Sequence, residues 1–142
     1  MKIDIETKPE ADLQELARRA DESSFARQLG LKILEVGLGY ARAAVRISPD
    51  RHGNLFGYIH GAALYALADH AGSVCGNSLD RKAVMIQSTM SFFKNPGLEQ
   101  DLLAEARVVQ EGRRTGHLEV DIRDEIGEIL ARFQSTIYFF DA

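Results

Sequence analysis

Residues 60–77 read His-Gly-Ala-Ala-Leu-Tyr-Ala-Leu-Ala-Asp-His-Ala-Gly-Ser-Val-Cys-Gly-Asn, and this stretch decides the fold. Small and apolar residues fill nearly every position, so a helix built from it has few solvating side chains on any face. The composition predicts a helix over 60–77 that must be surrounded by protein. Strand patterns follow it: Ala83 to Phe93, Leu102 to Gln110, Arg113 to Asp124 and Glu128 to Phe140. In the last, Ile129, Ala131, Phe133, Ser135, Ile137 and Phe139 share one face, while Glu128, Arg132, Gln134 and Thr136 share the other. That two-residue alternation belongs to a sheet buried on one side. Glu111-Gly112 and Glu125-Ile126-Gly127 are short enough to join antiparallel neighbours.

Upstream, Leu13, Leu16, Ala17, Ala20 and Phe25 recur near a 3.6 period, predicting an amphipathic helix over about 11–28 that Gly30 ends. Residues 31–47 alternate around Gly37-Leu38-Gly39 and read as a hairpin, and Ser48 to Asn54 is turn chemistry without periodicity. The order is helix, two strands, buried helix, four strands. One α+β domain over 1–142 is expected, an antiparallel sheet curling around a central helix in the manner of a hotdog fold.

At 142 residues and 45% hydrophobic the chain suits one core. Its net charge is -4 and its 17 Lys and Arg are scattered rather than gathered in a stripe, which argues against a general nucleic-acid binder. The only cysteine, Cys75, allows no intrachain disulfide and no CxxC knuckle, favouring a reducing, cytoplasmic setting. No run approaches the ~20 apolar residues that span a bilayer, so no membrane association is expected.

Residues 54–69, NLFGYIHGAALYALAD, place an amide, an imidazole and two glycines just before the buried helix and a carboxylate inside it. A helix start leaves its first N–H groups unpartnered, and Gly61, without a side chain, lets a carbonyl oxygen approach its own N–H. Asp69 sits among Leu67, Ala68 and Ala71, where a charge is costly unless it is paired or its pKa rises toward values useful for base catalysis. More ordinary roles stand beside these: His60 as a helix cap, Asn54 as a turn former, Asp69 as a satisfied structural acid. His60 and Asp69 are nine residues apart, about 13.5 Å and two and a half turns of straight helix, so they lie on opposite faces. If the helix start and Asp69 act on one carbonyl, they come from two chains related by a two-fold axis.

These residues resemble the phenylacetyl-CoA thioesterase branch of the hotdog superfamily. The likeness rests on Asn54, Gly57-Tyr58-Ile59-His60-Gly61-Ala62 and Leu67-Ala68-Asp69, then Ser91 to Pro96, Gly112 to Thr115, Glu119 to Ile122 and Gly127 to Ala131. It spans roughly residues 25–140. It implies a homodimer, or a dimer of dimers, hydrolysing an acyl-CoA to a free acid and CoA. Gly61 N–H would polarise the thioester carbonyl, with His60 and Asn54 orienting it. Asp69 of the partner subunit would attack it or activate water. Arg113 and Arg114 match a basic turn near the nucleotide end of CoA, although solvated hairpin charges are their alternative. CoA enters as part of the substrate, and neither a cofactor nor a metal is implied.

Two departures stand out. Ala62 replaces the motif's second glycine. The Ser or Thr that the family sets near the carboxylate falls at Met85 or Ile86 here, leaving Gln87, Ser88 or Thr89 as candidates. Two other classes compete: a hotdog hydratase or dehydratase, for which only His70 could partner Asp69, and a non-catalytic acyl-CoA-binding module. His52, His70 and His117 are expected in a loop, on a helix surface and on a strand surface.

Overall fold

The described residues open with two helices where the sequence predicts one. In the computed structural model, which describes residues 10–140, α1 (Glu10–Asp21) and α2 (Ser24–Leu29) meet at an elbow. The expected helix over 11–28 breaks because the Ser23 hydroxyl accepts the Ala26 N–H and so caps a new helix. Gly30, at φ 74°, ends α2 in the left-handed conformation that glycine adopts without strain. Residues 1–9 and 141–142, the ends of the expected 1–142 domain, lie outside the described residues.

The hairpin forms as β1 (Lys32–Gly37) and β2 (Tyr40–Arg46), turning at Gly39 with φ 66°. The predicted loop over 48–54 contains a single helical turn, α3 (Pro49–His52), started by Pro49, whose missing N–H costs nothing at a first turn. The central helix is α4 (Gly61–Asn77), and β3 (Ala83–Phe92), β4 (Asp101–Glu111), β5 (Thr115–Arg123) and β6 (Ile129–Phe139) follow. The sheet has six strands in the order β1-β2-β4-β5-β6-β3, every neighbouring pair antiparallel.

The sheet curls around α4, whose Leu67, Ala68, Ala71, Val74 and Cys75 are buried with Leu118, Val120, Ile122, Phe133 and Ile137 of the strands. Gly72 permits the closest approach: a Cβ there would lie 2.7 Å from Met85 Cε and 3.2 Å from Leu118 Cδ1. The expectation that protein surrounds α4 on all sides holds except along one strip. Ala62 and Tyr65 are exposed and Asp69 and Ser73 are half-buried, at the three- and four-residue spacing of one helix face.

Among the described residues β3 forms one edge of the sheet, with β1 at the other, and it carries a bulge. Met85 pairs with Ile137 and Gln87 with Thr136, consecutive residues of β6, so Ile86 is the extra residue. The exposed apolar residues Val84, Ile86 and Phe92 line this edge.

Candidate active site

The start of α4 is assembled from the loop before it. Asn54 folds that loop on itself, its side-chain oxygen accepting the N–H groups of Phe56 and Tyr58 at 2.9 and 3.0 Å. Asn54 is therefore the turn former its residue type predicts. His60 caps the helix: its Nδ1 accepts the Ala62 N–H at 3.0 Å, so the neutral ring carries its proton on Nε2, facing away from the backbone. The Gly61 N–H has no acceptor among the described residues. The Phe92 ring lies over Gly61, where a Cβ would come within 3.3 Å of it. Asn54, Gly61 and Phe92 share an open pocket of about 290 Å³ with Ile59, Leu64 and Asn95. Asn95 braces the loop by bonding both the N–H and the carbonyl of Ile59. The Ala62 methyl group lies on the open strip of α4.

Asp69 occupies a different pocket of about 220 Å³, with Ala66, His70 and Ser73 from α4 and Ala20, Ser23, Phe25 and Leu31 from the N-terminal elbow. It makes no hydrogen bond or ion pair with any described residue. Burial pushes its carboxyl pKa above the ordinary value, and the neighbouring His70 only partly opposes that. Gly61 and Asp69, eight residues apart on α4, are separated by about 12 Å of helix rise, and one chain does not bring them to a common point.

Two histidines depart from expectation. His70 is only 9% exposed, and its Nε2 meets Asp21 Oδ1 at 3.0 Å, so it is turned toward α1 rather than solvent. His52 is 2% exposed; its Nε2 donates to the Leu29 carbonyl at 2.8 Å and its Nδ1 accepts the Ser48 N–H at 3.0 Å. Both partners lie far off in sequence or in an unforeseen helical turn, which is why neither burial was readable. His117 is exposed on β5 as expected.

The bulge at Ile86 distinguishes the three candidates left open beside the carboxylate. The Gln87 side chain faces outward and accepts from the Thr136 hydroxyl at 3.1 Å. Thr89 lies two residues on, lining the same outer groove as Gln87. Ser88 faces α4, its hydroxyl 2.6 Å from the Tyr65 hydroxyl. Tyr65 precedes Asp69 by one helical turn, so Ser88 and Asp69 border the same open strip.

Arg113 and Arg114 belong to the turn between β4 and β5 rather than to a strand, since β5 starts at Thr115 and the Gly112 N–H bonds to the Thr115 carbonyl. Their carbonyls hold the turn to Arg81 and Phe139, and their side chains are exposed without an ion pair among the described residues. The turn adjoins the C-terminal end of α4, where Asn77 bonds the Ala83 backbone. That is one helix length, about 24 Å, from Gly61. Among the described residues no three His, Cys, Asp or Glu side chains are grouped to hold a metal, and no helix is long and apolar enough to cross a membrane.

The thioesterase superfamily model matches residues 56–131, from the loop before α4 into β6. The chain belongs to the thioesterase superfamily. Acyl-coenzyme A thioesterase PaaI of Escherichia coli K12 is 29% identical over 117 residues, covering 80% of this chain and 81% of PaaI. The PaaI structure superposes with a TM-score of 0.86 at 23% identity, covering 93% and 96% of the two chains. The phenylacetic acid degradation protein PaaI of Thermus thermophilus, solved as a point mutant, is 34% identical with a TM-score of 0.79, covering 83% of this chain and 100% of that one. A Streptococcus mutans protein solved with acetyl CoA superposes at 0.73 with 23% identity over 78% of this chain and 88% of its own. The curled antiparallel sheet around α4 is the hotdog fold of this superfamily, and this thioesterase is a thioester hydrolase of the PaaI-like branch.

Proposed function

We propose that this thioesterase hydrolyses an acyl-CoA to a carboxylic acid and CoA in sites shared between two copies of the chain. The observation that carries the proposal is Asp69, a half-buried carboxylate with no hydrogen-bond partner among the described residues and a raised pKa, about 12 Å along α4 from an unpartnered Gly61 N–H. Structural carboxylates in such surroundings are paired; an unpaired one is a base or nucleophile in waiting. A two-fold axis that runs α4 antiparallel to its copy would bring the Gly61 of one chain to the Asp69 of the other. The open strip of α4 and the apolar free edge of β3 support such pairing, because an exposed strand edge with Val84, Ile86 and Phe92 invites a second strand.

In that arrangement the Gly61 N–H, helped by the helix dipole and the Nε2–H of His60, receives the negative charge that forms on the carbonyl oxygen. The partner's carboxylate takes a proton from water or attacks the carbonyl carbon itself. The C–S bond breaks, the sulfur leaves as thiolate and gains a proton, and water supplies the oxygen of the new acid. Ser88 and Tyr65 stand on the Asp69 side as hydroxyls able to orient that water. The free guanidinium groups of Arg113 and Arg114 offer the charges that CoA phosphates need. The name of the Escherichia coli relative supports CoA as the leaving group. A hydratase or dehydratase would need His70 beside Asp69 as a second acid-base group, and His70 is instead committed to Asp21.

Mixing two inactive variants tests the shared site. Asp69→Asn and Gly61→Val, unfolded together and refolded, should recover roughly a quarter of wild-type CoA release, because half the dimers are mixed and each holds one intact site. No recovery from a demonstrably mixed dimer would place both groups in one chain and sink the proposal.

A further inference from the structure

The guanidinium of Arg81, in the loop between α4 and β3, is committed to the turn between β4 and β5. Its Nη1 donates to the Arg113 carbonyl at 2.6 Å, and its Nη2 donates to the Gly112 carbonyl at 3.0 Å and to Glu111 Oε2 at 2.7 Å. Its Cζ stands 3.7 Å from the centroid of the buried Phe139 ring, a cation–π contact. The Phe139 N–H in turn bonds the next carbonyl, that of Arg114. Closing a hairpin requires none of this. The Gly112 N–H already meets the Thr115 carbonyl at 2.8 Å, and Glu111 pairs with Gly116 across the ladder. What Arg81 adds is a fixed position for the turn: three successive carbonyls, those of Gly112, Arg113 and Arg114, are held by Arg81 and Phe139 together, while the Arg113 and Arg114 side chains stay exposed. Arg81 itself has little to offer a ligand, because Glu111 offsets its charge and the carbonyls occupy its donors.

We infer that Arg81 is a positioning residue for substrate binding, clamping the turn in the shape that presents Arg113 and Arg114 to the phosphates of CoA. The inference rests on the phosphate-binding role proposed for those two arginines. A turn that must be ordered as the ligand arrives weakens affinity, and one fixed beforehand avoids that loss. The residue type matters as much as the charge. A lysine at this position keeps the charge but lacks the planar fork that reaches two carbonyls and a carboxylate at once. The clamp also lies away from the reacting groups: α4 ends eight residues beyond Asp69, about 12 Å of helix rise. Arg81 therefore acts on binding of the nucleotide end and not on the chemical step.

The experiment compares hexanoyl-CoA with hexanoyl-pantetheine, which keeps the thioester and its arm but carries no phosphate. The proteins are the wild type, Arg81→Lys, the paired change Arg113→Ala/Arg114→Ala, and all three changes together. Dissociation constants for CoA and pantetheine are measured beside the kinetics, so the comparison stands whether or not the hexanoyl ester is turned over. Arg81→Lys should raise KM for the CoA ester and Kd for CoA roughly tenfold, the scale of one lost charge-assisted hydrogen bond. Its kcat, and its constants for the pantetheine compounds, should stay within about twofold of wild type, because damage to the fold strikes both esters alike. In the Arg113→Ala/Arg114→Ala background Arg81→Lys should have little further effect, since the clamp acts through those side chains. Equal losses on both esters, or an Arg81→Lys effect undiminished in that background, would overturn the inference and leave the role of the two arginines standing. If the paired change by itself leaves CoA binding unaltered, the phosphate reading of the turn fails, and the inference falls with it.

Discussion

The open strip of α4 and the outer face of the sheet each hold an aspartate withdrawn from water, and the two are treated in opposite ways. Asp121, 4% exposed at its side chain on β5, receives a hydrogen bond from Arg132 at 2.7 Å and has Arg107 and Arg123 within 3.6 and 3.7 Å. Burial by itself would raise its pKa, but the Arg132 hydrogen bond and the three guanidinium charges outweigh it and hold the carboxyl below the usual range. Asp69 feels the same desolvation with no guanidinium to answer it, and its pKa moves up. One chain thus contains both solutions to a buried charge. The difference separates a carboxylate that ties strands together from one left unpaired, as the proposed hydrolysis requires.

Exchanging the charge at each position is the strongest way to break this contrast. Asp69→Asn should lower kcat/KM for CoA release by about 10²–10⁴-fold, the usual contribution of a general base, and Asp121→Asn should leave it within a few-fold. Equal losses from both would end the distinction. Stability should run the other way. Asp121→Ala should cost about 1–3 kcal/mol in denaturant unfolding, since it removes the acceptor of Arg132 and the charge that faces Arg107 and Arg123. Asp69→Asn should raise Tm at neutral pH by relieving an uncompensated charge.

The pH dependence sharpens both. A raised native pKa means that ionised Asp69 destabilises the fold at high pH. The advantage of Asp69→Asn should therefore vanish as pH falls below 3.8, where the carboxyl is protonated in both states. The acid limb of kcat should inflect above 3.8 for the same reason. Asp121, with a lowered native pKa, stabilises the fold above 3.8, and that contribution should disappear only as pH falls through its lower native value. The smallest effect is expected at the exposed Lys94–Glu128 pair, 2.8 Å apart on the surface. Lys94→Ala should leave stability unchanged within error, because solvent screens such pairs.

Much of this layout was legible in residue order. The helix expected over 60–77 is α4, one residue shorter, and the face expected from Ile129 to Phe139 is buried except at Ile129, because a register shift against β5 puts Leu130 in the core instead. Alternation and apolar density encode burial locally, so they survive without knowledge of contacts. The elbow at Ser23 and the turn at Pro49 left signals too, a serine cap and a first-turn proline, which the longer periodicities around them overrode. Asp69 and Gly61 stood out because a carboxylate and a bare glycine are unusual in such surroundings. His52, His70 and Asn95 did not, because hydrogen bonds to residues distant in sequence define their roles. That Ser88, and not Gln87 or Thr89, faces α4 hung on one unpaired residue in β3, which no periodicity announces.

That bulge at Ile86 has a meaning for how such a chain changes over generations. In a regular strand an added residue turns over every side chain beyond it, exchanging the face that meets the helix with the one that meets water. Here the extra residue is absorbed where it stands, and Ser88, Met90 and Phe92 keep the orientation they would have without it. β3 therefore has a point at which its length can vary by one residue while the hydroxyl over α4 stays in place. Insertions and deletions there are open to drift in a way that the same events two residues further along are not.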